Sequence, residues 1–349
     1  MKANRIAGHL SFLFLLGLYR PSSFFSPDPD GEITLMAVGD VMLGRFVDSR
    51  YQGRISSDKI SGVFRSADVI FGNLEACFGG GISPAQQKAV NLKAPDSALS
   101  ALKDLGFTVV SLANNHCEDF GADAVAHTQT LLETNGIRNF GGFSQQGKAI
   151  PLLLTIKTVS IGLLGYSAHV PSTAPAGPGY SGIAPLSSES VLSDIAALRP
   201  RVDVLIASVH WGRECSDGPT AEQVSMAHQM ADAGVDVVWG HHPHVLQGVE
   251  NYKGKLIAYS LGNFIFDQVG SGATQSMILQ CDIRKRRIFK VRVIPVMVDR
   301  YLPRLANAEE GMTLLNHVRR LSDQLTLDPD MPVWRIQWND GENTIRATK

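Results

Sequence analysis

The chain has 349 residues, 44% of them hydrophobic and 19% charged, which supports a sizeable buried core and excludes an extensively disordered protein. Lys plus Arg (32) nearly balances Asp plus Glu (33), leaving a formal net charge of -1. A balanced chain lacks the basic stripe of a general nucleic-acid binder, so no nucleic-acid partner is expected. An anionic substrate must instead be held by local charges or by metal.

Residues 1–30 read as a signal peptide or N-terminal membrane anchor. Lys2 and Arg5 precede the apolar run Leu10–Tyr19, whose length suits an export signal and is short for a spanning helix of about 20 residues. No small-x-small cleavage motif and no lipobox cysteine follow, so cleavage and retention both stand, beside a disordered tail. This reading predicts an exported, extracytoplasmic protein of the cell envelope. From Glu32 onward, short apolar runs alternate with loops and amphipathic stretches. The runs are Ile33–Val38, Ala67–Phe71, Phe107–Leu112, Leu152–Ile156, Val159–Leu164, Val202–Val209, Val235–Trp239 and Leu256–Tyr259. Continuous runs of that length predict strands buried on both faces of a helix-covered α/β sheet.

Helices are expected between these runs. Asp96 is placed to cap one that Gly106 ends. Thr220 and Gln223 have capping-box spacing for another, stopping at Gly234. Pro171–Gly182 reads as a long surface loop, and Gly79–Gly81 and Gly270–Gly272 as mobile loops. Beyond Ile278 a strand over Ile288–Val298 and a helix over Glu309–Gln324 are predicted. With no internal repeat or linker, residues 31–349 form one expected domain. The four cysteines, Cys77, Cys117, Cys215 and Cys281, form no CxxC pair. Export permits a disulfide among them, and ordinary buried thiols are the other reading.

The chemistry-bearing residues follow the apolar runs, where ligand sites form in α/β sheets. The first run enters Gly39-Asp40 and the second Gly72-Asn73-Leu74-Glu75. The third enters Asn114-Asn115-His116, and later runs enter His210-Trp211-Gly212 and Gly240-His241-His242-Pro243-His244. Each piece has a plainer meaning alone: Asp40, Asn73 and Glu75 suit helix caps, and His210 suits a satisfied core histidine. Together they bring carboxylate, amide and imidazole groups to one sheet edge, the donor set of Mn, Fe, Zn or a similar divalent ion. Arg45, Arg213 and Glu214 adjoin these motifs and suit either substrate contact or a solvated rim, and His169 is placed near the cleft. There is no P-loop, Gly-x-Ser-x-Gly elbow or Gly-x-Gly-x-x-Gly after the first run, so nucleotide kinases, serine hydrolases and Rossmann dehydrogenases lose support.

The segments AVGDVMLGR (37–45), GNLE (72–75), VVSLANNHCEDFG (109–121), SVHWGRE (208–214), GVDVVWGHHPHVLQGVE (234–250) and YSLGNFIFD (259–267) resemble, in order, the signature blocks of the CapA-like capsule-synthesis and poly-gamma-glutamate proteins. That family is similar to the calcineurin-like metallophosphoesterases. The resemblance implies a four-layer αββα sandwich with two divalent metal ions (Mn, Fe, Zn or Mg) at the strand ends. It implies Asp40 on the first metal and Glu75 as the bridging carboxylate, with Asn73 as second choice. It further implies Asn115, His210 and His242 on the second metal, His244 on the first, and His116 as the acid protonating the leaving oxygen. His241, Arg45 and Asn263 are additional candidates for the cleft. Against the general phosphoesterase pattern, Met42 stands in a histidine position and Asn73 in an aspartate position, departures that this family shares.

The implied function is a two-metal, phosphoesterase-type hydrolase in capsule or poly-gamma-glutamate biosynthesis, acting on an anionic surface polymer or a phosphoester, with a membrane biosynthesis complex as the expected partner assembly. The alternative is a non-catalytic metal-binding subunit that handles the polymer at the membrane, favoured by Met42 and Asn73. A general phosphomonoesterase or nucleotidase stands third.

Overall fold

The computed structural model describes residues 32–325, apart from 53, 56, 80–84, 86–87, 143–147, 170–181 and 271, and the backbone of 336–338. The export segment, all but the last residue of the Pro171–Gly182 loop, and parts of both glycine loops lie outside the described residues. Two sheets stack face to face. In the first, Ile33–Val41, Val69–Leu74, Val109–Ser111 and Arg138–Phe140 run parallel. On its other side Ile33–Val41 pairs antiparallel with Gln275–Arg284, which pairs with Arg287–Asp299. In the second sheet Val159–Ser167, Val204–His210, Val237–His241 and Lys255–Ala258 run parallel, with antiparallel edge strands Leu152–Ile156 and Val249–Tyr252.

Strand alternation decides which core each side chain fills. Leu35, Ala37, Val69 and Phe71 meet Val204, Ile206, Val237 and Trp239 between the sheets, where Phe71 and Trp239 stack at 4.5 Å. Met36, Val38 and Ile70 point the other way, into a core shared with Val47, Ile60, Phe64 and Leu102 of the covering helices. Leu205, Ala207 and Val238 pack on the opposite outer face against Val191, Ile195, Ala227 and Met230 from the helices Ser188–Leu198 and Ala221–Asp232. The order helix, sheet, sheet, helix is the four-layer sandwich implied above, and the continuous apolar runs are strands buried on both faces.

Thr220 and Gln223 form the expected reciprocal cap of Ala221–Asp232, and Asn307 with Glu310 does the same for Ala308–Asp323. Asp96 is not a cap: it lies inside a short 3-10 turn, Asp96–Ala98, which leads into the helix Leu99–Leu105. Gln275–Arg284 is a strand that the sequence pattern concealed, because Ser276, Gln280 and Asp282 interrupt its apolar positions. All four cysteines are free thiols, Cys215 exposed and the others buried, so the disulfide reading is set aside for the buried-thiol one. Among the described residues no helix is long and apolar enough to cross a membrane.

Candidate metal centre

The C-terminal ends of the parallel strands from both sheets converge on one cluster. Asp40 ends the first strand because Gly39 allows the Leu261–Gly262 backbone to close on it; a Cβ at Gly39 would lie 1.8 Å from the Gly262 carbonyl oxygen. Asp40 N donates to that oxygen at 2.9 Å. Gly240 plays the same part in the second sheet, where a Cβ would lie 2.0 Å from the Tyr259 carbonyl oxygen. The segment after it carries His242 and His244 on left-handed backbone, with φ of 96° and 59°. Such conformations cost about 1–3 kcal/mol each in a non-glycine residue and persist where surrounding structure enforces them, commonly at functional sites.

Asp40, Asn73 and Glu75 are fully buried. Asn73 Nδ2 donates to Asp40 Oδ1 at 2.9 Å and reaches Glu75 Oε2 at 3.5 Å, while its Oδ1 accepts from Asn114 Nδ2 at 3.1 Å. His244 Nδ1 lies 2.9 Å from Asn263 Oδ1 and 3.2 Å from Asp40 Oδ2, and its Nε2 lies 3.6 Å from Glu75 Oε1. Asp40, Glu75 and His244 therefore place one ligand atom each within 4.8 Å of one another. Glu214, His242 and His244 do the same, so His244 belongs to both groups. His210 Nε2 lies 2.8 Å from Asn115 Oδ1, and its ring is centred 4.7 Å from that of His242. His116 Nε2 faces Glu75 Oε1 at 4.0 Å, and its Nδ1 lies 2.7 Å from Asp119 Oδ2.

The electrostatics follow from this crowding. Burial alone would raise Asp40, but the His241 and His244 imidazoles, each 3.2 Å from one of its oxygens, outweigh it and hold the carboxyl well below its usual range. Glu75 is driven well above the usual range by burial, reinforced by the charges of Asp40, Glu214 and Asp119 and opposed by that of His244. Burial and the nearby His242 keep His210 neutral, and burial with His169 and His244 takes His242 down to about 3. His244 goes the other way, to about 10, because the Glu75 and Asp40 charges and the Asn263 hydrogen bond exceed its burial cost.

The residues fit divalent metal. Glu75 Oε1 and His242 Nδ1 are buried without a hydrogen-bond partner. A cation would satisfy both and add to His244 the further countercharge that two ionised carboxyls, Asp40 and Glu75, need. Neutral His210 and His242 are in the protonation state that metal ligation needs.

All six expected ligands, Asp40, Glu75, Asn115, His210, His242 and His244, are brought together with His116 in this cluster. Asn73 is committed to hydrogen bonds that position Asp40. His241 is buried 3.2 Å from Asp40 Oδ1 but poorly aligned to bond it, with its ring against Phe71. Met42 is core, its sulfur accepting from Gly44 N at 3.1 Å. Arg45 is held by Asp267, with Nε 3.0 Å from Oδ2. The His169 ring lies tilted against that of His242, centred 4.0 Å away, and with Trp211 and Arg213 it lines an adjoining cavity of about 390 Å³. Asp119 escaped the sequence reading, and Asn114 entered it only within the Asn114-Asn115-His116 loop, with no role of its own. Asp119 receives His116, Lys88 Nζ at 2.6 Å and Leu92 N at 2.8 Å. Asn114 joins Asn73 to the Leu74 carbonyl. The spacing of Asp119, three residues after His116, was the available signal for the first.

Over residues 34–268 the chain matches the family described as Bacterial capsule synthesis protein PGA_cap. It is 30% identical over 282 residues to the PGA biosynthesis protein CapA of Bacillus subtilis (strain 168), covering 78% of this chain and 74% of that protein. It is 27% identical over 347 residues to a probable polyglutamine synthesis accessory protein of Mycobacterium tuberculosis, covering 83% and 91%. Among solved structures it is similar to the calcineurin-like phosphoesterase YfkN from Bacillus subtilis, at 13% identity and a TM-score of 0.42 over 84% of this chain and 98% of that one.

Proposed function

The chain belongs to the bacterial capsule-synthesis family whose profile it matches, and from that premise we propose that it is a metal-dependent, phosphoesterase-type hydrolase of surface-polymer synthesis. It acts outside the cytoplasm, beside the membrane machinery that makes the polymer. The observation that carries this reading is the buried Asp40–Glu75 pair with an unpartnered Glu75 Oε1 facing His244 and His116. Asp40, Glu75 and His244 would hold one divalent ion, and Asn115, His210 and His242 a second with Glu75 shared. Bound ions would supply Lewis-acid polarisation of the reacting centre and a nucleophile usable at neutral pH.

The chain's own residues do the rest. Asp119 fixes the His116 ring through Nδ1 and leaves Nε2 directed at the cluster, where it holds a proton for a departing oxygen. Lys88 and the Leu92 amide in turn fix Asp119, so the imidazole does not have to be ordered when substrate arrives. His169, Trp211 and Arg213 form the wall on the His242 side, which suits an anionic substrate with some apolar body.

A second reading, a non-catalytic subunit that handles polymer, rests on Met42 and Asn73, since neither presents a free ligand atom to the cluster. The two separate on the full-length purified chain by metal content together with hydrolysis of mono- and bis-p-nitrophenyl phosphate. Metal with chelator-sensitive turnover that His116→Ala removes supports the hydrolase. Metal without turnover on either ester moves the assignment to polymer handling, and absence of metal removes both.

A further inference from the structure

At the opposite end of the same strands lies a cavity of about 450 Å³. Arg199, Lys253, Lys255, Arg286 and Arg287 line it, against only Asp203 and Asp236. Three positive charges are in excess there, or two when Asp232, which holds Lys253 at 2.6 Å from outside, is included. The whole chain carries -1, so this edge is a local concentration and not a reflection of composition. Arg286 joins the sheets by reaching Asp203 at 3.2 Å, with 66% of its side chain exposed, and Lys253 is 56% exposed.

The turns that carry these charges are chosen against backbone preference. Ile156 pairs with Val159, Tyr252 with Lys255, and Arg284 with Arg287, so each hairpin has a two-residue loop. Such loops favour Asn-Gly because their central positions need positive φ. Here Lys157, Lys253, Lys285 and Arg286 occupy those positions, with φ of 56°, 50°, 52° and 62°. Three hairpins from both sheets thus present lysine or arginine where asparagine or glycine would be less strained. Ion pairs of Lys157 with Asp68, Lys253 with Asp232 and Arg286 with Asp203 return only part of that cost, as exposed pairs do, and the net positive charge that remains suits a surface that binds anions.

The position of Glu32 selects the anion. Lys157 Nζ donates to the Glu32 carbonyl, so the chain enters the fold at this same basic edge. The sequence before it holds Lys2, Arg5 and the apolar run Leu10–Tyr19. The metal centre lies at the far end of the Ile33–Val41, Val204–His210 and Val237–His241 strands, so covering the basic edge leaves that centre open.

We propose that the edge formed by the Lys253-Gly254 and Lys285-Arg286 turns docks on anionic phospholipid headgroups, holding the metal centre away from the bilayer. This is independent of the hydrolase reading. The test measures amide hydrogen exchange of the full chain on phosphatidylcholine vesicles and on vesicles of 7:3 phosphatidylcholine to phosphatidylglycerol. Both turns become protected only on the anionic vesicles. A triple variant, Lys253→Asn with Lys285→Asn and Arg286→Gly, supplies the turn-preferred residues, which offsets the loss of the exposed Lys253–Asp232 and Arg286–Asp203 pairs, so it stays folded while losing that protection. Its partition onto the anionic vesicles falls on the order of tenfold or more, as expected for basic residues near an anionic surface. Equal exchange of the wild-type turns on both vesicles, or undiminished anionic preference in the variant, overturns the proposal. Protection by soluble poly-glutamate with none on vesicles also overturns it, in favour of a polymer site.

Discussion

The two ends of the parallel strands treat their carboxylates in opposite ways. At the amino end, Asp236 is met by Arg199 at 2.7 Å, Lys255 at 2.5 Å and the Leu205 amide at 2.9 Å, and Asp203 by Ser160 and Arg286. Every acid there has a cation from the chain itself, near water. At the carboxyl end, Asp40 and Glu75 are both fully buried and share one cation, His244, and one Glu75 oxygen has no hydrogen-bond partner. Desolvating charge without matching it costs several kcal/mol per ion in a finished fold. The contrast teaches that one end is closed electrostatically by the sequence, while the other holds more carboxyl groups than the chain's own cations match.

The largest way to break that contrast is to remove the unmatched charge. Asp40→Asn keeps the shape and the Asn73 contact but deletes the anion, so metal content should fall to background and turnover with it, a loss of several kcal/mol of transition-state stabilisation. Circular dichroism should show the fold retained, because the carboxylate is not needed to pack the core. Metal analysis of the variant beside the wild type decides it; undiminished metal would put the ions elsewhere. Next in size is His116→Ala. Its ring faces Glu75 without being among the six ligands, so metal should stay while turnover drops about 10²–10⁴-fold, the usual range for a general acid. Loss of metal in this variant would make His116 a ligand instead.

The carboxyl end was readable in the sequence and the amino end was not. Asp40, Glu75, His116, His210 and His244 each follow an apolar run, and the alternation of runs and loops places such residues on one edge before any coordinates exist. The runs were legible because strands buried on both faces, such as Val204–His210, need no polar position. Gln275–Arg284 was hidden because Asp282 and Gln280 are buried polar residues, paired with Thr34, Lys290 and Arg292 across neighbouring strands. Asp119 was hidden because its partners, Lys88 and Leu92, come from a separate loop. The basic edge gathers residues from positions 157, 199, 253 and 286, which no local spacing unites.

The third expectation tests the cost of leaving the carboxyl end open. Glu75 is raised above its ordinary value of 4.5, chiefly by burial, so the metal-free folded chain keeps a proton that the unfolded chain releases. Stability of the metal-free protein should therefore fall as pH rises above 4.5. Glu75→Gln, which cannot ionise, should remove that slope and gain about 1–3 kcal/mol on the wild type near neutral pH. Urea unfolding of both proteins between pH 5 and 8, in chelator, measures it. Parallel curves would show that Glu75 already has its charge matched within the chain.

The smallest expected effect comes from the closed end, and its sign is reversed. Burial disfavours the charged form of Asp203, but hydrogen bonds from Ser160 N and Oγ, both 2.9 Å, and the charges of Arg286 and Arg199 outweigh it and lower the carboxyl below 3.8. Its contribution is present above that value and is lost as pH falls through the lowered one. Asp203→Ala should cost about 1 kcal/mol near neutrality, and the difference from wild type should shrink in acid below pH 3.8. Thermal unfolding of the pair at neutral and acid pH checks it. A destabilisation that instead grew in acid would mean that Asp203 is protonated in the folded chain, and the amino end would then be no better matched than the carboxyl end.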